Sequence, residues 1–119
     1  MSDLPTLPEV SAQELAEWMR ERSDLVILDV REPFEIGRAR INDQRVAYAP
    51  LSMLAAHPEP QLPPPARSPQ ATIVVMCHLG QRSAQVVYWL RMLGWQQVYN
   101  LTGGIDAYAH TIDPSVGMY

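Results

Sequence analysis

The chain of 119 residues contains no lysine, and all nine of its basic residues are arginines. Chemistry that begins at a lysine amine, such as Schiff-base formation, is therefore excluded. Thirteen acidic residues outnumber the basic ones, so the formal net charge is −4 at pH 7. A nucleic-acid-binding domain usually carries a positive net charge or a basic stripe that meets the phosphate backbone. The charge balance therefore gives no support to nucleic acid as a partner.

Cysteine is the next scarce residue, because Cys77 is the only one in the chain. A single cysteine excludes a disulfide within the chain and a cysteine-rich zinc site. No metal site is predicted. A mixed disulfide or persulfide formed on Cys77 must also be resolved by another molecule, since the chain holds no second thiol.

Long apolar runs are absent as well. No stretch approaches the roughly 20 apolar residues of a membrane-spanning helix. Residues 1–10 have neither the basic segment nor the apolar segment of a signal peptide. The length suits a single domain with a hydrophobic core over residues 1–119. We therefore expect a cytoplasmic monomer with no membrane partner.

What the sequence does contain is one stretch, residues 72–94, that combines strand, loop and helix signals around the cysteine. The run Thr72–Met76 is short, apolar and rich in β-branched residues, as in a strand buried on both faces of a parallel sheet. Cys77 follows this strand directly. A helical pattern then begins at Ser83 and ends at Gly94, a residue type that often terminates helices.

The loop between this strand and this helix, residues 78–82, predicts an activated thiol. Its backbone N–H groups can form a nest for an anion, Gly80 permits a turn with positive φ, and Arg82 adds a permanent positive charge. The helix that follows contributes the positive end of its dipole. Each of these favours a thiolate, so we predict that Cys77 is a nucleophile. The alternative is a small buried hydrophobic residue, and the placement of Gly80 and Arg82 argues against it.

The other segments alternate between the two kinds of element. Residues 11–14 form a capping-box pattern that opens an amphipathic helix. Further strands are predicted by three apolar runs, at 25–28, 46–48 and 98–101. This alternation predicts an α/β fold, with a small, mainly parallel central sheet flanked by helices on both faces. The six prolines within residues 58–69 predict an extended surface connector, and residues 113–119 are predicted to be an extended tail without an assigned function.

Charged residues follow the predicted strand at 25–28, in the order Asp29-Val30-Arg31-Glu32. The carboxyl ends of parallel strands share one edge of the sheet, so we expect Asp29 and Arg31 to lie near the loop of Cys77. The alternatives are a loop cap for Asp29 and solvated charge for Arg31. We interpret the two residues as groups that brace the loop rather than as catalysts.

The loop itself reads Cys77-His78-Leu79-Gly80-Gln81-Arg82-Ser83. It resembles the C-x-x-G-x-R-S active-site loop of the rhodanese family of sulfurtransferases. The D-x-R-E pattern at 29–32 and the Gly-Gly turn at 103–104 also resemble that family. The resemblance covers nearly the whole chain and is weakest at residues 38–70.

The resemblance implies a rhodanese-like fold and the transfer of sulfane sulfur. Cys77 would attack the outer sulfur of thiosulfate or of a persulfide donor and hold it as a persulfide. A thiol, cyanide or a sulfur-accepting protein would then take the sulfur, and no metal or organic cofactor is required. The residues implied to bind the donor and steady the persulfide are His78, Leu79, Gly80, Gln81, Arg82 and Ser83. Rhodanese loops often carry Arg or Lys beside the cysteine, where this chain has His78 and Leu79.

Two alternative functions are considered for the Cys77 loop. Phosphatases and arsenate reductases of the same fold also place a cysteine and an arginine around an oxyanion, but their loop is one residue longer than the loop from Cys77 to Arg82. A non-catalytic module that binds partners or carries sulfur is the second alternative. Such modules usually lack the cysteine, which this chain retains.

Overall fold

The computed structural model describes residues 7–119, and its central element is a five-stranded sheet. The strands are β1 (Glu9–Val10), β2 (Val26–Asp29), β3 (Val46–Tyr48), β4 (Ile73–Met76) and β5 (Val98–Leu101). Their order across the sheet is β1-β5-β4-β2-β3, and every neighbouring pair is parallel. The predicted α/β class is confirmed, and the sheet is wholly parallel in the described residues rather than mainly so. The two-residue edge strand β1 was not predicted.

The helices are α1 (Ala12–Glu21), α2 (Pro33–Ile36), α3 (Leu51–Leu54), α4 (Gln81–Met92) and α5 (Gly104–Thr111). The capping box that opens α1 is formed as predicted. The N–H of Glu14 donates to the hydroxyl of Ser11, and the N–H of Ser11 donates back to the Glu14 carboxylate, each at 3.0 Å. None of the helices in residues 7–119 is both long and apolar enough to cross a membrane.

The core has two halves, one on each face of the sheet. Because successive side chains of a strand point to opposite faces, the fully buried strands β2 and β4 supply residues to both halves. One half packs against α1 and α5 and includes Leu15, Ile27, Val74, Leu101 and Ile105. The other half packs against α3 and α4 and includes Leu28, Leu54, Val75, Cys77, Val87 and Leu90. Helices therefore cover both faces, as the sequence predicted.

Two connecting segments differ from their predicted extended form. The proline-rich segment contains a short 3₁₀ helix, Pro64–Ala66, and the indole N–H of Trp95 donates to the carbonyl of Ala66 at 2.9 Å. The tail after α5 was also predicted to be extended, and this is wrong. It forms a 3₁₀ helix at Pro114–Val116 and continues to Tyr119, whose side chain reaches the loop of Cys77.

Candidate active site

Cys77 lies at the carboxyl end of β4, where the chain turns into α4, and is 1% exposed. Gly80 precedes the first helical residue with φ = +105°, a conformation that glycine adopts without a steric penalty. This turn starts the helix two residues before the predicted position at Ser83. Gln81 and Arg82, which were assigned to the loop, therefore belong to the first turn of α4.

Three hydrogen-bonding groups of the turn surround the Cys77 sulfur. The N–H of Gly80 donates to Sγ at 3.1 Å, and the N–H of Ser83 donates to it at 3.4 Å. The hydroxyl oxygen of Ser83 lies 3.2 Å from Sγ. Hydrogen bonds from N–H groups stabilise an anionic sulfur more than a neutral one. The turn can therefore hold negative charge on the sulfur.

The start of α5 fixes the backbone of the same turn from another side. The N–H of Ile105 donates to the carbonyl of Cys77 at 2.9 Å, and the N–H of Asp106 donates to the carbonyl of His78 at 3.2 Å. Gly104, with φ = +62°, makes this approach feasible, because a Cβ at that position would lie 2.5 Å from the carbonyl oxygen of Cys77. The Gly-Gly turn seen in the sequence thus positions the cysteine.

Arg82 is bound to a partner that was not identified in the sequence. Its two terminal nitrogens contact the two carboxylate oxygens of Glu35, on α2, at 2.7 and 2.8 Å. These hydrogen bonds lower the pKa of Glu35 to about 2 and raise the pKa of Arg82. The Glu35 side chain is 8% exposed and that of Arg82 is 34% exposed. The positive charge expected to face the donor is therefore paired with a buried carboxylate.

Asp29 and Arg31 form a second ion pair, which is buried. Arg31 Nη2 lies 2.8 Å from Asp29 Oδ2, and both side chains are at most 1% exposed. The alternative of solvated charge for Arg31 is thereby rejected. Asp29 also accepts from the backbone N–H of Arg31 at 3.1 Å, as a capping residue does. The pair is linked to the turn through Glu35, since Arg31 Nη1 donates to the Glu35 carbonyl at 3.3 Å.

His78 and Leu79 form the outer part of the turn. The imidazole ring of His78 stacks on the ring of Tyr119, with 3.8 Å between centroids, whereas Leu79 is 53% exposed. The hydroxyl of Tyr119 donates to Glu35 Oε1 at 3.0 Å and accepts from Arg31 Nη1 at 3.3 Å. The final segment of the chain is therefore part of the site, although the sequence assigned it no function.

Asn100, on β5, is a further polar group of the site that was not predicted, and it is 3% exposed. Its Oδ1 accepts from the hydroxyl of Ser83 at 2.5 Å, and its Nδ2 donates to the carbonyl of Gly80 at 3.1 Å. The sequence indicates this role of Asn100 only by placing a polar residue inside the apolar run at 98–101. Across residues 7–119, no three His, Cys, Asp or Glu side chains come together as they would around a metal ion.

Comparison with known proteins agrees with this fold. The family model of the Rhodanese-like domain matches residues 11–111. A crystal structure of a rhodanese-related protein from Thermoplasma volcanium superposes with a TM-score of 0.69 and 27% identity, covering 87% of this chain and 91% of that one. The molecule is thus a parallel α/β domain with a cysteine on the turn after a central strand. The chain belongs to the rhodanese-like family.

Two curated relatives differ in how much of their length the chain spans. The "Rhodanese-like/PpiC domain-containing protein 12, chloroplastic" of Arabidopsis thaliana is 33% identical over 122 residues, which cover 100% of this chain and 40% of that protein. A protein of Allochromatium vinosum named sulfurtransferase is 28% identical over 101 residues, covering 85% of this chain and 87% of its own length. The chain therefore spans less than half of the first relative and most of the second.

Proposed function

We propose that this domain is a sulfurtransferase that carries sulfane sulfur as a persulfide on Cys77. The observation that carries the proposal is the placement of Sγ within 3.1–3.4 Å of the N–H groups of Gly80 and Ser83. These donors meet a sulfur atom at the start of a 12-residue helix, whose dipole also favours negative charge. The sulfurtransferase relative supports the same conclusion.

The reaction is a double displacement in which Cys77 is covalently modified and then regenerated. With thiosulfate as donor, the Cys77 thiolate attacks the outer sulfur, a sulfur–sulfur bond forms at Sγ, and sulfite leaves with the electron pair of the cleaved bond. An acceptor such as cyanide or a thiolate then attacks the terminal sulfur of the persulfide. The Cys77 thiolate leaves with the electron pair, so no oxidant or reductant is consumed.

The charges of the site favour a donor that carries less charge than thiosulfate. Arg82 is paired with Glu35 and Arg31 with Asp29, so these four side chains add no net positive charge to balance an approaching dianion. A persulfide on an organic or protein thiol carries one negative charge, and it is the donor class that we propose.

The phosphatase alternative is disfavoured by the same ion pair. A phosphatase of this kind needs an arginine whose planar fork binds two oxygens of the phosphoryl group. Here both terminal nitrogens of Arg82 are engaged by the carboxylate of Glu35. The short loop from Cys77 to Arg82 also offers a narrower cradle than a tetrahedral phosphoryl group requires.

The experiment is intact mass spectrometry of the purified protein after incubation with thiosulfate or with a small-molecule persulfide. A gain of about 32 Da, one sulfur atom, is expected on the wild-type protein and not on Cys77→Ser. Subsequent cyanide should remove the added mass and form thiocyanate. Absence of the mass gain with both donors, or the same gain on Cys77→Ser, would overturn the proposal. Robust hydrolysis of an aryl phosphate by the wild-type protein would instead favour the phosphatase alternative.

A further inference from the structure

Asn100 is a buried polar side chain that bonds to two residues of the Cys77 turn. It lies on β5, on the same face as Val98, and successive residues of the strand alternate between the two halves of the core. Burying an amide is unfavourable unless its polar atoms are hydrogen-bonded. Both are, to the carbonyl of Gly80 at 3.1 Å and to the hydroxyl of Ser83 at 2.5 Å.

These two contacts determine the orientation of the amide. The carbonyl of Gly80 can only accept, so the NH₂ group of Asn100 must face it. The carbonyl oxygen of Asn100 then faces Ser83, and since that oxygen has no proton, Ser83 must be the donor. The single hydroxyl proton of Ser83 is therefore directed at Asn100.

This orientation decides how Ser83 meets the sulfur. With its proton directed at Asn100, the Ser83 oxygen presents lone pairs to Sγ, 3.2 Å away. It can accept from the Cys77 thiol, but it cannot donate to the thiolate unless it gives up the bond to Asn100. The N–H groups of Gly80 and Ser83 favour the anion, whereas the Ser83–Asn100 bond favours the protonated sulfur.

We infer that Asn100 is a positioning residue that controls the ionisation of Cys77 by holding the hydroxyl proton of Ser83 away from the sulfur. The inference rests on the proposed function of Cys77 as the sulfur carrier. When the thiol ionises, its proton leaves to solvent, and the Ser83 hydroxyl must turn from Asn100 to the sulfur in order to stabilise the anion. Asn100 thus limits the thiolate population of the resting domain.

Other charged and titratable residues belong to the turn and to the elements near it, so the test must separate their effects from that of Asn100. They come from β2 and the residues after it, from α2, the turn itself, α4, α5 and the final segment: Asp29, Arg31, Glu35, His78, Arg82, Asp106 and Tyr119. A change at Asn100 leaves all of these in place. The readout must therefore be one that depends on the Ser83 hydroxyl.

The test is a double-mutant cycle between Asn100→Leu, which keeps the number and branching of the side-chain heavy atoms, and Ser83→Ala. The measurement is the rate of Cys77 alkylation by iodoacetamide as a function of pH. In the protein that keeps Ser83, Asn100→Leu frees the Ser83 hydroxyl to donate to the thiolate. The midpoint of the alkylation profile should then fall by about one pH unit. In the Ser83→Ala background, the same substitution should give no downward shift.

The cycle has outcomes that overturn the inference. If Asn100 only anchors the carbonyl of Gly80, Asn100→Leu will shift the midpoint equally in both backgrounds. No shift in either background contradicts the inference too. Because alkylation requires no sulfur donor, the cycle is decided separately from the proposed sulfur transfer, which is tested by the mass gain of the wild type and of Cys77→Ser.

A second measurement does not depend on the folding of the Asn100 variant. The infrared S–H stretching band of the wild-type protein, recorded at acidic pH, should lie at lower frequency than the band of Ser83→Ala, because the thiol donates to Ser83. If Asn100→Leu does not fold, Asn100→Ala can replace it in the alkylation cycle, because alanine is smaller and adds no bulk to the buried site. Identical bands for the wild type and Ser83→Ala would overturn the orientation from which the inference is drawn.

Discussion

The phenol ring of Tyr119 lies almost parallel to the imidazole ring of His78, with 3.8 Å between centroids and 12° between planes. The hydroxyl of the same tyrosine donates to Glu35, the partner of Arg82. A single side chain thus contacts the outer part of the cysteine turn and the ion pair beside it. Loss of this side chain should loosen both.

Tyr119→Ala is expected to lower the free energy of unfolding by roughly 1–2 kcal/mol, from the lost ring packing and hydrogen bonds. It should also speed the alkylation of Cys77 several-fold, since His78 loses its support. Tyr119→Phe is the matched control, because it keeps the stacked ring and removes only the hydroxyl. Equal alkylation rates in the wild type and in Tyr119→Ala would show that the stack does not restrain the turn.

Glu35→Gln tests whether the carboxylate sets the choice of donor. The substitution leaves the charge of Arg82 uncompensated, so the KM for dianionic thiosulfate should fall several-fold while the KM for a monoanionic persulfide changes less. Glu32→Gln is the control. This carboxylate lies next to α2 but accepts from Ser52 at 2.7 Å rather than from Arg82. If steady-state kinetics show the same change in KM for both donors, Glu35 does not determine the choice of donor.

The acid stability of the fold should also depend on Glu35. Its pKa falls from an ordinary value of 4.5 to about 2 in the folded state, chiefly through the hydrogen bonds from Arg82. A lowered carboxyl pKa stabilises the fold above pH 4.5, and this contribution is lost as the pH falls through about 2. We expect it to amount to on the order of 2 kcal/mol, because the partial exposure of Arg82 weakens the pair.

Urea unfolding of the wild type and Glu35→Gln between pH 2 and pH 6 measures this contribution. The difference in unfolding free energy between the two proteins should be largest near pH 6 and should narrow below pH 4.5. A difference that stays constant over the whole range would mean that the ion pair does not couple folding to protonation.

Gly104→Ala should damage the site more than the fold. Gly104 and Gly94 both have positive φ, +62° and +106°, so alanine at either position is strained by about 1 kcal/mol. Only at position 104 would the added Cβ meet the carbonyls of Cys77 and His78, whereas nothing lies within 4 Å of a Cβ at position 94. Sulfur transfer should fall by about 10²-fold in Gly104→Ala, because the turn must shift, and should be almost unchanged in Gly94→Ala. Similar activities in the two variants would contradict the proposed support of the turn by α5.

The parts of the molecule that could be predicted from sequence are those set by short-range patterns. The turn of Cys77 and Gly80 lies within one continuous stretch, so strand, glycine and helix signals located it. The class of fold followed from the alternation of strands and helices. The start of α4 was predicted two residues too late, because Gln81 and Arg82 were assigned to the loop.

The partners of these residues could not be predicted, because they come from distant segments. Glu35 precedes Arg82 by 47 residues, Tyr119 follows Glu35 by 84, and Asn100 follows Ser83 by 17. Which of these segments meet depends on the order of the strands in the sheet, and hydrophobic periodicity does not specify that order. Residue types alone also do not distinguish a buried ion pair, such as Arg31 with Asp29, from a solvated one.

The amide groups of α5 that donate to the carbonyls of Cys77 and His78 have a consequence for engineering. The backbone of the turn is held by groups that belong to another element, so its path does not depend on the side chain at position 79. Leu79 is half exposed, and His78 makes its stacking contact through its ring. A library of substitutions at position 79, with His78 and Tyr119 retained, would therefore vary the outer part of the sulfur site over a constant scaffold. Selection for growth on different sulfur sources would then reveal which donors the site can be made to accept.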